Sequence, residues 1–166
     1  MEKREYLFYG FGQVCYALAM SDGKVQKSEH DDLIKLLKDE FEVLDSIVSQ
    51  LKENEHLAIK LHPEEAASKY DRFRSESVSV LRDCPVKDLS AVAYKIIGMA
   101  SMLLLELSVF RKDIISYRPN ANRNFIGERL GLTIPAKDAF ELRYLLDHNI
   151  YAKQSFREYF QGSKDR

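Results

Sequence analysis

Leu89-Ser90-Ala91-Val92-Ala93-Tyr94-Lys95-Ile96-Ile97-Gly98-Met99-Ala100-Ser101-Met102-Leu103-Leu104-Leu105-Glu106-Leu107 contains the longest apolar run in the chain. Leu89, Val92, Ala93, Ile96, Ile97, Ala100, Leu103, Leu104 and Leu107 recur mostly at offsets of three and four. That is the repeat of a helix, and here it covers most helical faces, so it predicts a central helix beginning after Asp88 and packed on all sides. Ile96 to Leu105 spans about ten residues, against roughly twenty needed to cross a bilayer, which makes it a core element.

The flanking segments read in the same period. Leu7, Phe11, Val14, Cys15 and Leu18, thickened by Tyr6, Phe8 and Tyr9, predict a first helix over about Glu5 to Met20 that ends at Ser21-Asp22-Gly23. Ser28 reads as the N-cap of a second helix, with Glu29, Asp31 and Asp32 in its first turn. Leu33, Leu37, Phe41, Leu44, Val48 and Leu51 then carry the apolar stripe to about Lys52. Pro63-Glu64-Glu65 opens a third helix toward Cys84-Pro85. Beyond the break at Arg118-Pro119-Asn120, shorter helices are expected around Asn124 to Leu130, closed by Gly131, and over Lys137 to Leu146 and Ala152 to Phe160. No Ser-, Gly- or Pro-rich linker interrupts the 166 residues. The expected architecture is therefore one all-α domain, a compact bundle of about six or seven helices over residues 1–166.

Composition narrows the function classes. With 45% hydrophobic residues and a net charge of −1, the chain can bury a core and has no bulk charge to capture DNA or an anionic membrane. The mixed charges of Met1-Glu2-Lys3-Arg4-Glu5 do not read as a signal peptide. Neither Cys15 nor Cys84 belongs to a Cys-x-x-Cys pair. Both read as free thiols of a cytoplasmic protein.

No catalytic constellation stands out. His30, His56, His62 and His148 lack His-Glu-x-x-His spacing, and neither a Gly-x-Ser-x-Gly elbow nor a Gly-rich phosphate loop is read from the chain. The expectation is a non-catalytic protein. Leu18 to Glu29 can be laid on a calcium loop with Gly23 sixth and Glu29 twelfth, but Leu18 and Met20 offer no oxygen at the first and third positions. Asp22-Gly23 and Ser28-Glu29 read more simply as a helix end and a helix start. Asp22, Glu29, Asp31 and Asp32 still crowd one turn, where carboxylates suit a divalent cation, the only cofactor the residues point to.

The pattern Ala17-x-Ala19-x-Ser21-Asp22-Gly23-x-Val25-x-x-x-Glu29 resembles the signature of the tellurite-resistance TerB family, shared with the N-terminal region of the DjlA co-chaperone. The resemblance is clearest over residues 6–50. A weaker echo at 124–132, Phe125-Ile126-Gly127-Glu128-Arg129-Leu130-Gly131-Leu132, is similar to the family's closing helix. It implies an all-α, non-enzymatic module linked to stress response. On this resemblance Asp22 and Glu29 are the metal candidates and Gly23 and Ser28 the structural junction. Many members repeat an acidic element where this chain reads Ile114 to Arg123 without one.

The expected function is thus a helical binding module acting through a protein partner or its own copy, with a weak cation site at Asp22 and Glu29. The alternative is a phosphate or nucleic-acid binding protein. Residues 111–129 hold five basic residues against two acidic, and Arg111, Lys112, Arg118 and Arg123 are interleaved with Phe110 and Tyr117.

Overall fold

The run 89–107 does not form one helix. The computed structural model describes residues 5–10, 27–62, 65–119 and 125–164, and in it this run contributes to three elements. These are α2 (Val86–Val92), β4 (Lys95–Gly98) and α3 (Met102–Leu107). Ile96 and Ile97 are both fully buried, yet they belong to different cores. Ile96 lies with Leu89, Leu104, Leu107 and Ile114, and Ile97 with Leu44, Ile47, Ile115 and Leu142. Adjacent residues point to opposite sides only in a strand. Fully burying each isoleucine contributes about 1.5–3 kcal/mol, more than helix propensity distinguishes among ordinary residues, so two-sided burial decides the conformation.

Around β4 lie β1 (Glu5–Gly10), β2 (Glu55–Lys60), β3 (Val78–Leu81), β5 (Ile114–Tyr117) and β6 (Ile134–Ala136). They form one six-stranded sheet in the order β3-β2-β1-β4-β5-β6, with every pairing parallel. The chain steps outward from β1 to β3, returns to the centre at β4 and steps outward the other way. This is the doubly wound order of open α/β sheets.

Helices cover both faces. α1 (Lys27–Ser49) and α5 (Ala139–Asp147) pack on one through Val43, Leu44, Ile47, Leu142, Leu145 and Leu146, joined there by a 3₁₀ segment (Ala67–Phe73) that buries Tyr70 and Phe73. α2 and α3 pack on the other, beside Phe125 and Leu132, which flank α4 (Ile126–Arg129), and Phe156 and Tyr159 of α6 (Phe156–Lys164). Among the described residues no helix is long and apolar enough to cross a membrane.

The all-α bundle expected from the sequence, and the helical-module description that went with it, are therefore overturned. Residues 5–10, expected as the start of a first helix, are the central strand β1, and Val78–Leu81, expected within the third helix, are β3. A strand enclosed on both faces is apolar at every position, so its sequence lacks the alternation that separates strands from buried helices. Where a helix has one wet face the periodicity holds: the second expected helix is α1 and the expected 137–146 helix is α5. Gly131 closes α4 as expected, with φ of 68° and the Leu132 amide donating to the Gly127 carbonyl at 2.7 Å.

Candidate functional site

The two strands at the topological reversal both end in glycine. Gly10 pairs with Lys60 and Lys60 with Leu81 on one side, and Gly98 pairs with Ser116 and Ser116 with Pro135 on the other. Tyr9 pairs with Ile97, so Gly10 and Gly98 are next to each other in the middle of this row. Glycine at a strand end leaves room for a ligand to approach the backbone. The chain goes from β1 toward α1 on one face and from β4 toward α3 on the other. In open α/β sheets this divergence opens a crevice at the carboxyl ends of the strands, which is where ligands bind.

Ser101 follows Gly98 by three residues and occupies the N-cap position of α3, yet its side chain does not cap the helix. The residue is 4% exposed, and its Oγ has no hydrogen-bond partner among the described residues. A buried serine hydroxyl normally finds a partner, and one at an N-cap has a backbone amide within reach. An orphaned hydroxyl at the carboxyl end of a switch-point strand is chemically a donor and acceptor held for an external group.

Other polar side chains border the edge. His62 follows β2, and its amide donates to Glu65 Oε2 at 2.9 Å. Lys60 Nζ donates to the carbonyls of Leu61 and Arg82 at 2.6 and 2.8 Å, tying the exits of β2 and β3 together. Arg118 follows β5, where its Nε lies 3.4 Å from Glu128 Oε1. Glu128 also accepts from Ser116 Oγ at 2.8 Å and from the Phe125 amide at 3.1 Å. The edge therefore offers hydroxyl, imidazole and guanidinium groups, a set that recognises phosphate and sugar oxygens.

The residues singled out in the sequence fall only partly within the described set. Asp22, Gly23 and Arg123 lie outside the described residues. Ser28 is the second residue of α1 and Glu29 the third, so the helix begins ahead of the expected cap. Among the described residues no group of three or more His, Cys, Asp or Glu could hold a metal ion, and the side chains of the acidic turn, Asp22, Glu29, Asp31 and Asp32, lie outside that set. The basic stretch is split between the two edges of the sheet. Arg111 precedes β5, donating to Asp113 and to the Ser90 and Tyr94 carbonyls, and Lys112 pairs with Glu158 at 2.8 Å. Among the described residues singled out in that stretch, Arg118 is the one at the carboxyl edge.

Gly10-Phe11-Gly12 comes at the end of the central strand, with Cys15 where a Gly-x-Gly-x-x-Gly fingerprint has its last glycine, although residues 11–26 lie outside the described set. Directly after β2, where dinucleotide domains place a ribose-binding acid, the chain has Leu61 and His62. Ser101 was missed because its only signal is Gly98-x-x-Ser101 between two apolar runs. No family model, no curated protein and no solved structure matches the chain.

Proposed function

We propose that this protein binds a phosphorylated, nucleotide-type ligand in the crevice across the carboxyl ends of β1 and β4. The observation that carries the reading is the buried, orphaned hydroxyl of Ser101 at the switch point of a doubly wound sheet. Gly10 and Gly98 leave the backbone open to a flat or extended ligand, while His62 and Arg118 border the crevice with groups suited to phosphate oxygens. Among the described residues, the phosphate-binding role expected of the basic stretch is carried by Arg118.

Calorimetric titration with nucleoside mono-, di- and triphosphates and with inorganic phosphate tests it. A nucleotide is expected to bind more tightly than phosphate, and Ser101→Ala to weaken it about tenfold, the loss of one hydrogen bond to a charged group. Absence of nucleotide binding, or equal affinity in Ser101→Ala, overturns the reading. The same substitution should leave stability unchanged within about 0.5 kcal/mol, because the hydroxyl has no partner to lose, whereas a capping serine would cost about 1 kcal/mol.

A second reading is contact with another protein. Phe140 and Tyr144 stand one turn apart on α5 at 81% and 49% exposure. Sedimentation of the wild type against Phe140→Ser tests self-association there, and equal, concentration-independent mass in both removes it.

A further inference from the structure

Beneath the chain leaving β2 lies a buried cluster that the ligand reading does not use. Glu40 of α1, Glu65 and Tyr70 are each at most 3% exposed, and Lys69 reaches in from the surface. Tyr70 Oη is bonded to Glu40 Oε1 on one side and lies 3.0 Å from Glu65 Oε1 on the other. Lys69 Nζ spans the same two carboxyls, 3.0 Å from Glu40 Oε2 and 2.6 Å from Glu65 Oε1. Glu65 passes the connection on: its Oε2 accepts from the His62 amide at 2.9 Å, and its own amide donates to the His62 carbonyl at 3.0 Å.

A phenol has one proton and can donate it to one acceptor at a time. With both carboxyls ionised, one of the two Tyr70 contacts would set lone pair against lone pair. Two buried anions would also face a single ammonium. One proton on Glu40 resolves both conflicts, because Glu40 then donates to Tyr70 Oη and Tyr70 donates to Glu65, leaving one carboxylate for Lys69. We infer that Glu40, Tyr70 and Glu65 share one retained proton, and that this proton latches Glu65, and through it His62 at the carboxyl edge, onto α1. The latch stands whether or not that edge binds a nucleotide.

Burial holds the Glu40 carboxyl above its ordinary value of 4.5, and the neighbouring Glu65 charge adds to this, while Tyr70 and Lys69 pull the other way. No other charged side chain enters the cluster among the described residues. Arg82, leaving β3, ends on the Glu65 backbone carbonyl, and Arg72 pairs at the surface with Asp45 at 2.6 Å. A folded pKa above the unfolded one gives stability that is fully present below 4.5 and lost as pH rises through the folded value. The latch therefore closes in acid and opens in base.

Carboxyl-labelled glutamate NMR on the full chain, together with hydrogen exchange from about pH 5 to about pH 9, tests the inference. One glutamate resonance should titrate well above 4.5 and be missing from Glu40→Gln. Protection at residues 61, 62, 65 and 66, relative to β4, should fall about tenfold per pH unit between 4.5 and that titration, level off above it, and stay flat throughout in Glu40→Gln, the slope expected of one proton. Glu65→Gln, which removes the charge that faces Glu40, should flatten the profile too, so the test survives if one variant fails to fold. If every glutamate titrates at or below the ordinary value, or residues 61, 62, 65 and 66 keep the same pH slope in both variants, the inference is overturned.

Discussion

At the amino end of β2, Glu55 meets Arg143 of α5 in a two-pronged pair of 2.8 and 2.7 Å, backed by the Lys52 amide at 3.0 Å. Past the carboxyl end of the same strand, Glu40 and Glu65 meet one lysine and one tyrosine. Both acid groups hold a helix or loop against β2, but they differ in charge balance. Glu55 and Asp147 share two cations, Arg143 and Lys52. Among the described residues Glu40 and Glu65 share one, Lys69. Burial works against ionisation of Glu55, yet the hydrogen bonds from Arg143 and Lys52 outweigh it and hold the carboxyl below its ordinary value, whereas Glu40 is held above it. Similar residues at the two ends of β2 are therefore shifted in opposite directions, set by the number of donors each cluster supplies.

The largest expected effect comes from breaking the amino-end pair. Arg143→Met leaves Glu55 buried without its cation and should lower unfolding free energy by about 3 kcal/mol, measured by urea denaturation. A loss below about 1 kcal/mol would mean the pair is no stronger than a surface bridge, and the contrast between the two ends would fail.

Tyr70→Phe should cost about 1–3 kcal/mol, because it strips a shared donor from two buried carboxyls while keeping the ring. Its loss should deepen as pH rises, since no phenol then separates the acids. A pH-independent cost would show that the ring alone stabilises the cluster.

Thermal melts across pH should show both limbs in one protein. The Glu55 carboxyl has a depressed folded pKa, so its stabilisation is present above 4.5 and lost as pH falls through the folded value. The Glu40 limb has the opposite sign. Arg143→Met should flatten the acid limb and leave the alkaline one, and Glu40→Gln should do the reverse. If either substitution changes both limbs equally, the ends of β2 are not independent. The smallest effect belongs to Lys52→Ala, whose bridge to Asp147 is half exposed and should contribute less than about 1 kcal/mol.

What the sequence by itself determined were the elements with one wet side. α1 and α5 show an apolar stripe against a charged face, Gly131 marks a helix exit, and the short apolar run near residue 100 rules itself out as a bilayer span. These signals are local, so they survive without the rest of the molecule. The strands were not legible: the segment Lys95–Gly98 is four residues long and buried on both faces, and Ile96-Ile97 satisfies a helical and an extended pattern equally. The candidate site was legible only in fragments. Arg118 was singled out for its charge, while Ser101 looks ordinary until the sheet order puts it at the switch point and burial leaves its hydroxyl without a partner. The two acid clusters join residues 30 and 88 positions apart. Only the tertiary structure decides such contacts, because whether a carboxyl keeps its proton depends on burial and on donors brought in from distant parts of the chain.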